Sequence, residues 1–467
     1  MKELLKKFGA FSVGPMVGAL LGFITVPLIT YFISPEEYGR TSMFTLAQGV
    51  LSMLMYLGLD QAFVREFNNA KGQIDKLMIN AITIPMICVA ILDVFVVLKA
   101  ELVSFLMFDT QTEFFAVYCL ALMLPFMIIE NFSLLKIRME EKGLQYSAFT
   151  ILLKVFVLVL TVLLFFLYEK SFRSVVYAMA FAEIINGTIL YFIAISPLKL
   201  SLKNLDKVLL KRMLAFGLPL VPASLLSWML TSMDKIMLRT MCDYTELGLY
   251  TAAFKIVAIL GIVQTCFTLF WTPVAYRWYE EKVDNKQFEL VNKLVAVLMT
   301  VMCMGLLLFK DLVALVLGAD FRTAIYIFPF ILLYPIMYTM SEATAVGIGF
   351  SRKTQYTIIV STTSGVLNIV LNYFLIPYYG GVGAAIATGV SYLVFFWVRT
   401  LISRKLWYKF PLIDYVIYTV IIIINCFVHT FYVGYFPYVL SFISAVLVLI
   451  YNVRNIKEVV GVFKKNI

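Results

Sequence analysis

Apolar residues run along this chain in blocks of about twenty, separated by short polar turns, and about twenty is what a helix needs to cross a bilayer. The pattern predicts about fourteen spanning helices, over residues 10–33, 41–64, 77–98, 114–135, 147–168, 174–195, 214–238, 247–271, 291–317, 324–348, 355–376, 382–402, 411–431 and 437–452. The fold class expected is an all-α polytopic membrane protein. Inside these blocks polar residues recur on single helical faces. In the seventh, Ser224, Ser227, Trp228, Thr231, Asp234 and Lys235 fall on roughly one third of the circumference. Thr357, Ser361, Ser364, Asn368 and Asn372 share a face of the eleventh; Thr45, Gln48, Ser52, Tyr56 and Asp60 share one on the second. Such a stripe turns away from lipid, toward a watery cavity or toward other helices, and hydroxyls and amides suit either.

Small and kinking residues add to this picture. Gly14, Gly18 and Gly22 recur every four residues, and Gly381 and Gly383 open the twelfth block, so close helix packing is expected at both places. Pro15, Pro27, Pro219 and Pro222 are expected to kink the first and seventh helices.

Composition removes most other classes. The chain is 62% hydrophobic and 14% charged, with mean hydropathy +0.92, whereas soluble domains carry about 25% charged residues. No connection is long enough for a separate catalytic domain. The longest inner ones, 197–211 and 276–290, read as surface helices or linkers. The six cysteines lack metal or redox spacing and read as small buried hydrophobes. One histidine, His429, with no acidic cluster argues against a metal centre or a nucleophile–base pair. No GK[ST] loop is present, so ATP is not the expected driver. An enzyme is not expected.

Of the 38 Lys and Arg, 28 fall in the tails and loops on the side of the N-terminus, 7 on the opposite side, and Lys154, Lys235 and Lys255 within spans. That bias places both termini in the cytoplasm and makes the number of spans even. It also accounts for the net charge of +10 without nucleic acid. The apolar run after Lys2, Lys6 and Lys7 is too long for a signal peptide and reads as an uncleaved first helix.

Phe8-Gly9, Glu37-Tyr38-Gly39 and Arg65 return as Phe216-Gly217, Glu246-Leu247-Gly248 and Arg277. The repeat predicts two six-helix bundles, residues 1–200 and 201–406, related by a pseudo-two-fold axis along the membrane normal. Two further helices follow in 407–467. Transporters are commonly built this way, with substrate bound between repeats.

The motifs SPEEYGR at 34–40, LGLDQAFVRE at 57–66, FGLPLVP at 216–222, MDKIML at 233–238, TELGLYTAAFKI at 245–256, FWTPVAY at 270–276 and GGVGAAIATGVSY at 380–392 run in order along nearly the whole chain. Together they resemble the Wzx-type polysaccharide flippases, which carry O-antigen or capsule repeat units and belong to the multidrug/oligosaccharidyl-lipid/polysaccharide exporter superfamily. The resemblance implies an undecaprenyl-diphosphate-linked oligosaccharide moved from the cytoplasmic to the outer leaflet of the bacterial inner membrane by alternating access. It also implies a central, often cationic, cavity. Partners expected with it are the lipid-linked substrate, membrane lipids, and the polysaccharide polymerase and chain-length proteins.

A lysine at mid-bilayer costs on the order of 3 kcal/mol, and a diphosphate would offset that cost. Lys255, Lys154 and Lys235 are therefore the expected substrate contacts, with Arg40, Arg65 and Arg277 at span ends and Trp228, Asn368 and Asn372 in the cavity. Glu183, Asp234, Glu130 and Asp60 are expected either to couple an ion or to pair with these cations. No cofactor is expected; the membrane potential, H⁺ or Na⁺ would drive transport. The alternatives are a drug or metabolite exporter of the same fold, and a membrane glycan polymerase or ligase, which would need a large outer loop with catalytic groups.

Overall fold

This computed structural model describes residues 2–465 apart from 71, 199 and 354, and within helices it leaves the side chains of 2–12, 15, 202, 223, 226, 227, 230, 313 and 454–465 undescribed. Ser227 of the expected stripe and Pro15 fall outside the described side chains. Every regular element among the described residues is helical. The chain forms two compact units, Met1–Ser232 and Met233–Ile467.

The first unit contains α1 (Lys2–Phe32), α2 (Pro35–Tyr56), α3 (Leu59–Glu66), α4 (Ile74–Leu98), α5 (Ala100–Phe108), α6 (Phe114–Met139), α7 (Gly143–Leu167), α8 (Phe172–Leu190), α9 (Lys207–Gly217) and most of α10 (Leu220–Met241). The second holds the end of α10, then α11 (Tyr244–Val257), α12 (Leu260–Glu280), α13 (Asn285–Leu308), α14 (Lys310–Val316), α15 (Phe328–Ile331), α16 (Leu333–Thr344), α17 (Val346–Phe350), α18 (Gln355–Leu406), α19 (Ile413–Phe431) and α20 (Phe436–Lys465).

Eight helices among the described residues are long and apolar enough to span, and three bent pairs raise the number to at most eleven. The pairs bend by 53° between α2 and α3, by 41° between α11 and α12, and by 58° between Ala319–Tyr326 and Phe328–Thr344. Leu57 and Gly58, both left-handed at φ 49° and 70°, turn α2 into α3. The sequence expects fourteen, and three features account for the difference. The 52 residues of α18 count once. That length is about 78 Å, more than twice the roughly 30 Å hydrocarbon layer, and Gly380 breaks it with φ 52° and ψ −131°. The described apolar part of α1 is only Met16–Phe32, and α10 is diluted by its polar stripe.

In the first unit α6, α7 and α8 pack on one another, α1 lies on α7, and α4 lies on α6. Gly14 makes the α1–α7 approach possible. A Cβ there would sit 2.6 Å from Thr150 Oγ1, and its N–H donates to Ser147 Oγ at 2.9 Å. At Gly18 and Gly22 an added Cβ would meet nothing within 4 Å, so the expected three-glycine seam reduces to one contact. α9 ends and α10 begins on either side of Leu218 and Pro219, the interruption expected of the prolines, while α1 continues as one helix through Pro27.

The connection before α9 is tied down rather than slack. Asn80 on α4 donates to Asn204 O at 3.0 Å and accepts from Asp206 N at 2.9 Å. Asp206 caps α9 through Val208 N and Leu209 N and pairs with Lys76 at 2.7 Å. The Lys76 ammonium, with the amides of Leu209 and Val208, holds the Asp206 carboxyl down at about 2. α9 itself lies on α3: Arg212 pairs with buried Glu66 at 2.7 Å, and the Gly58 and Gly217 backbones touch.

The repeat read from the sequence reappears as one device used in each unit. Ser34 and Asp243 cap α2 and α11 by accepting from Glu37 N and Glu246 N. The same two glutamates then reach across their own unit. Glu37 Oε2 accepts from Phe172 N at 2.5 Å, and Glu246 Oε2 accepts from Gly381 N at 2.6 Å. Donors and acceptors are displaced by the same 209 positions, 37 to 246 and 172 to 381. Each carboxylate sits at a helix start, where unpaired N–H groups and the helix dipole favour an anion. Glu246→Ala is expected to lower unfolding stability by about 1–3 kcal/mol, since it leaves a partly buried donor without a partner. Glu246→Gln is expected to recover part of the loss, because the amide oxygen still accepts. Thermal unfolding of the purified protein in detergent checks this, and an unchanged midpoint for Glu246→Ala would refute it.

In the second unit α16 packs on α18, and α13 packs against α16, α19 and α20. The last two helices are therefore built into this unit. Lys310 Nζ on α14 donates to His429 O at 2.7 Å and ties α19 to the unit, while His429 Nε2 meets Ser441 Oγ at 2.8 Å and Tyr418 donates to Asn452 at 2.9 Å to join α19 to α20. α4 and α7 present mostly apolar, uncovered faces, with only 28% and 11% of their most apolar stretch buried.

Candidate functional site

Two polar clusters form inside the apolar units, one in each. In the second unit Asp234, near the end of α10, is 5% exposed. Its Oδ2 accepts from Tyr250 on α11 and from Thr388 on α18, each at 2.7 Å, and its Oδ1 accepts from Asn372 Nδ2 at 2.6 Å. Asn372 also donates to Asn368 Oδ1 at 3.0 Å, and Asn372 Oδ1 has no hydrogen-bond partner. The stripe on the eleventh span thus has two parts. Asn368 and Asn372 are buried against Asp234, whereas Thr357 is exposed and Ser361 half-buried.

Beside this cluster stand the two lysines. Lys235 lies 5.4 Å over the Phe254 ring, and its charge feels that of Lys255. Lys255 is exposed on α11, although Ala252, Ala253, Ile256 and Val257 around it are buried. An ammonium at such a position is costly to leave in hydrocarbon. Two like charges on adjacent helices, one of them open, make an anion-attracting spot. The Asp234 carboxylate, held by three neutral donors, acts on Lys235 as well and offsets part of this positive charge.

The first unit brings Glu130 on α6 and Glu183 on α8 within hydrogen-bonding reach of each other, and Lys154 on α7 within Coulomb reach of both. The two carboxyls are 8% and 7% exposed. Asn186, one turn on from Glu183, is fully buried and lies within hydrogen-bonding reach of Glu130. Lys154 therefore sits in an acidic setting, which spacing along the chain did not reveal.

The remaining expected residues are dispersed. Arg40 pairs with Glu36 at 2.9 Å and lies 5.6 Å from the Phe172 ring. Arg65 lies 4.4 Å over Phe216. Arg277 is exposed in the last turn of α12. Trp228 is half-buried against α2, where a Cβ on Gly49 would meet its Nε1 at 3.0 Å. Asp60 accepts from Gln61 at 2.8 Å. On the second span Tyr56 bonds across to Met127 O at 3.2 Å, and Ser52 and Thr45 bond back to their own helix. Thr388 and Tyr250 went unnoticed in the sequence because each is a lone polar atom in an apolar block.

The geometry has clear relatives. A family model described as a polysaccharide biosynthesis protein matches residues 4–278. The probable low-salt glycan biosynthesis flippase Agl15 of Haloferax volcanii is 28% identical over 175 residues, 36% of this chain and 36% of that protein. The chain thus matches about a third of that curated relative's length. Among solved structures, the lipid II flippase MurJ in an inward closed conformation superposes with a TM-score of 0.72 at 16% identity, covering 96% of this chain and 99% of MurJ. An inward-facing multidrug resistance MATE family transporter of the MOP superfamily gives 0.65 at 16% identity, covering 85% and 97%. These similarities establish the fold, and with it a multi-pass membrane protein.

Proposed function

Since this chain belongs to the polysaccharide biosynthesis protein family, we propose that it is a flippase that carries an undecaprenyl-diphosphate-linked oligosaccharide from the cytoplasmic to the outer leaflet by alternating access. The observation that carries the reading is the Lys235–Lys255 pair, with Lys255 exposed within an otherwise buried stretch of α11. A diphosphate brought there gains charge-assisted hydrogen bonds in a low dielectric. A cationic drug, the cargo of the rival exporter reading, would be repelled from the same spot. Agl15 and MurJ carry flippase in their names, which agrees with this reading.

Asp234 is the coupling site in this scheme, binding H⁺ or Na⁺ while its three donors keep it in place. The membrane potential helps as well. An inside-negative potential favours outward movement of a diphosphate, by about 2.3 kcal/mol per charge per 100 mV. A strain lacking the protein is expected to accumulate lipid-linked glycan and lose surface glycan, and the wild-type chain is expected to reverse both. Normal surface glycan in that strain would end the proposal. Both termini lie in the cytoplasm on this reading, so reporter fusions at Ser171 and Tyr379 are expected to report the outside. An inside signal at either overturns the orientation.

A further inference from the structure

A run of half-buried aromatic rings passes through the second unit, beginning beside the Asp234 cluster. Tyr250 lies 6.1 Å from Phe254, and Phe254 stacks on Tyr334 at 5.7 Å and 11°. Tyr334 meets Tyr392 at 4.6 Å, Tyr392 meets Phe395 at 5.8 Å, and Phe395 stacks on Tyr338 at 5.5 Å and 13°. Cations close both ends. Lys235 stands over Phe254, and the Arg399 guanidinium lies 5.8 Å from the Tyr338 centroid and 5.6 Å from that of Phe395. Arg399 also donates to Ser341 Oγ at 2.8 Å and to Glu342 Oε1 at 2.5 Å.

Phe254, Tyr334, Tyr338, Tyr392 and Phe395 are half-buried, as are Phe267, Trp278 and Trp407 of the unit's other large aromatic group, which closes on Trp271 and Phe288 at 2% and 1% exposed. The hydroxyls of Tyr334, Tyr338 and Tyr392 have no hydrogen-bond partner among the described residues and are not shut off from solvent. From Tyr334 to Glu342 the run covers eight residues of α16, about 12 Å, on the order of half the hydrocarbon layer.

The chemistry selects one kind of occupant. A sugar ring offers a flat C–H face to an aromatic face and a rim of hydroxyls to tyrosine O–H and to a guanidinium–carboxylate pair. A lipid tail would leave those polar groups unused. A planar cation would meet Lys235 and Arg399. We propose that Phe254, Tyr334, Tyr338, Tyr392 and Phe395 form a track along which the saccharide of the transported lipid slides, while Lys255 and Lys235 hold its diphosphate. This rests on the flippase reading and assigns the sugar-binding half of the same passage.

The test uses purified full-length protein in nanodiscs and two probes. One is undecaprenyl diphosphate; the other is the lipid-linked oligosaccharide extracted from the deletion strain. Wild type is expected to bind the glycosylated probe more tightly. The double variant Tyr334→Leu/Tyr392→Leu is expected to lose about tenfold on the glycosylated probe while staying within about twofold on the bare lipid. Tyr334→Phe/Tyr392→Phe keeps the packing and loses only hydroxyls, so it serves if the leucine pair does not fold. It is expected to lose about threefold on the glycosylated probe alone, the size of one or two neutral hydrogen bonds. Equal affinities of wild type for the two probes, or equal changes on both in the phenylalanine pair, overturn the track and leave the flippase reading standing. Failure of wild type to bind either probe overturns both.

Discussion

Lys255→Ala is expected to abolish surface glycan in a complementation assay while leaving the protein inserted at wild-type level, and Lys255→Arg is expected to retain part of the activity. Lys255 is exposed as a residue on a helix whose neighbouring residues are buried, so its removal opens no sealed cavity in the core. The cost falls on the substrate. One charge-assisted contact to a diphosphate is worth about 1.5–3 kcal/mol, a loss on the order of 10- to 100-fold in transport. Arginine keeps the charge but changes a compact ammonium into a planar fork, hence partial activity. Lys235→Ala should be milder, because that lysine is half-buried over Phe254. Lys154→Ala should be milder too, since it neighbours Glu130 and Glu183. The competing account makes Lys255 a charge partner of Asp234. It predicts that Lys255→Ala combined with Asp234→Asn restores export, and such a rescue would sink the diphosphate role.

The membrane fold was legible from hydropathy because each span must satisfy its own backbone in lipid and therefore announces itself as an apolar block. The repeat was legible because Glu37 and Glu246 are needed at matched helix starts, where few other residues serve. Which polar residues meet was not legible. Asp234 and Thr388 lie 154 positions apart and touch only because α10 and α18 pack together. Periodicity places Asn372 on a face; it does not say that Asp234 occupies the other side. Lys154 and Lys255 look alike in sequence, and only the packing of α6, α7 and α8 gives Lys154 its two acids. The aromatic run escaped notice because Tyr and Phe count as apolar in any span. The spacing of Tyr334, Tyr338 and Glu342, four residues each, was visible but meant nothing without Tyr392, Phe395 and Arg399 opposite. Glycine every four residues overpredicted packing, since only Gly14 has a neighbour close enough to require it.

Asp234→Asn and Asp234→Ala are expected to separate charge from structure at the polar cluster. The carboxylate accepts from Asn372, Tyr250 and Thr388 in a buried setting. With asparagine the amide oxygen still accepts from Asn372, and the Tyr250 and Thr388 hydroxyls can turn to accept from the new N–H groups. The fold should lose no more than about 1 kcal/mol. With alanine three buried donors lose their acceptor together, at about 1–3 kcal/mol for each group left unsatisfied, so that variant should unfold well below wild type. Export should fail in both variants if Asp234 binds the coupling cation, because neither side chain can carry a negative charge. Cation binding to the folded state also stabilises it by mass action. Na⁺ at constant ionic strength should therefore raise the melting temperature of wild type more than that of Asp234→Asn. Wild-type export by Asp234→Asn, or identical responses of the two proteins to Na⁺, would reduce Asp234 to a bracket that joins α10, α11 and α18.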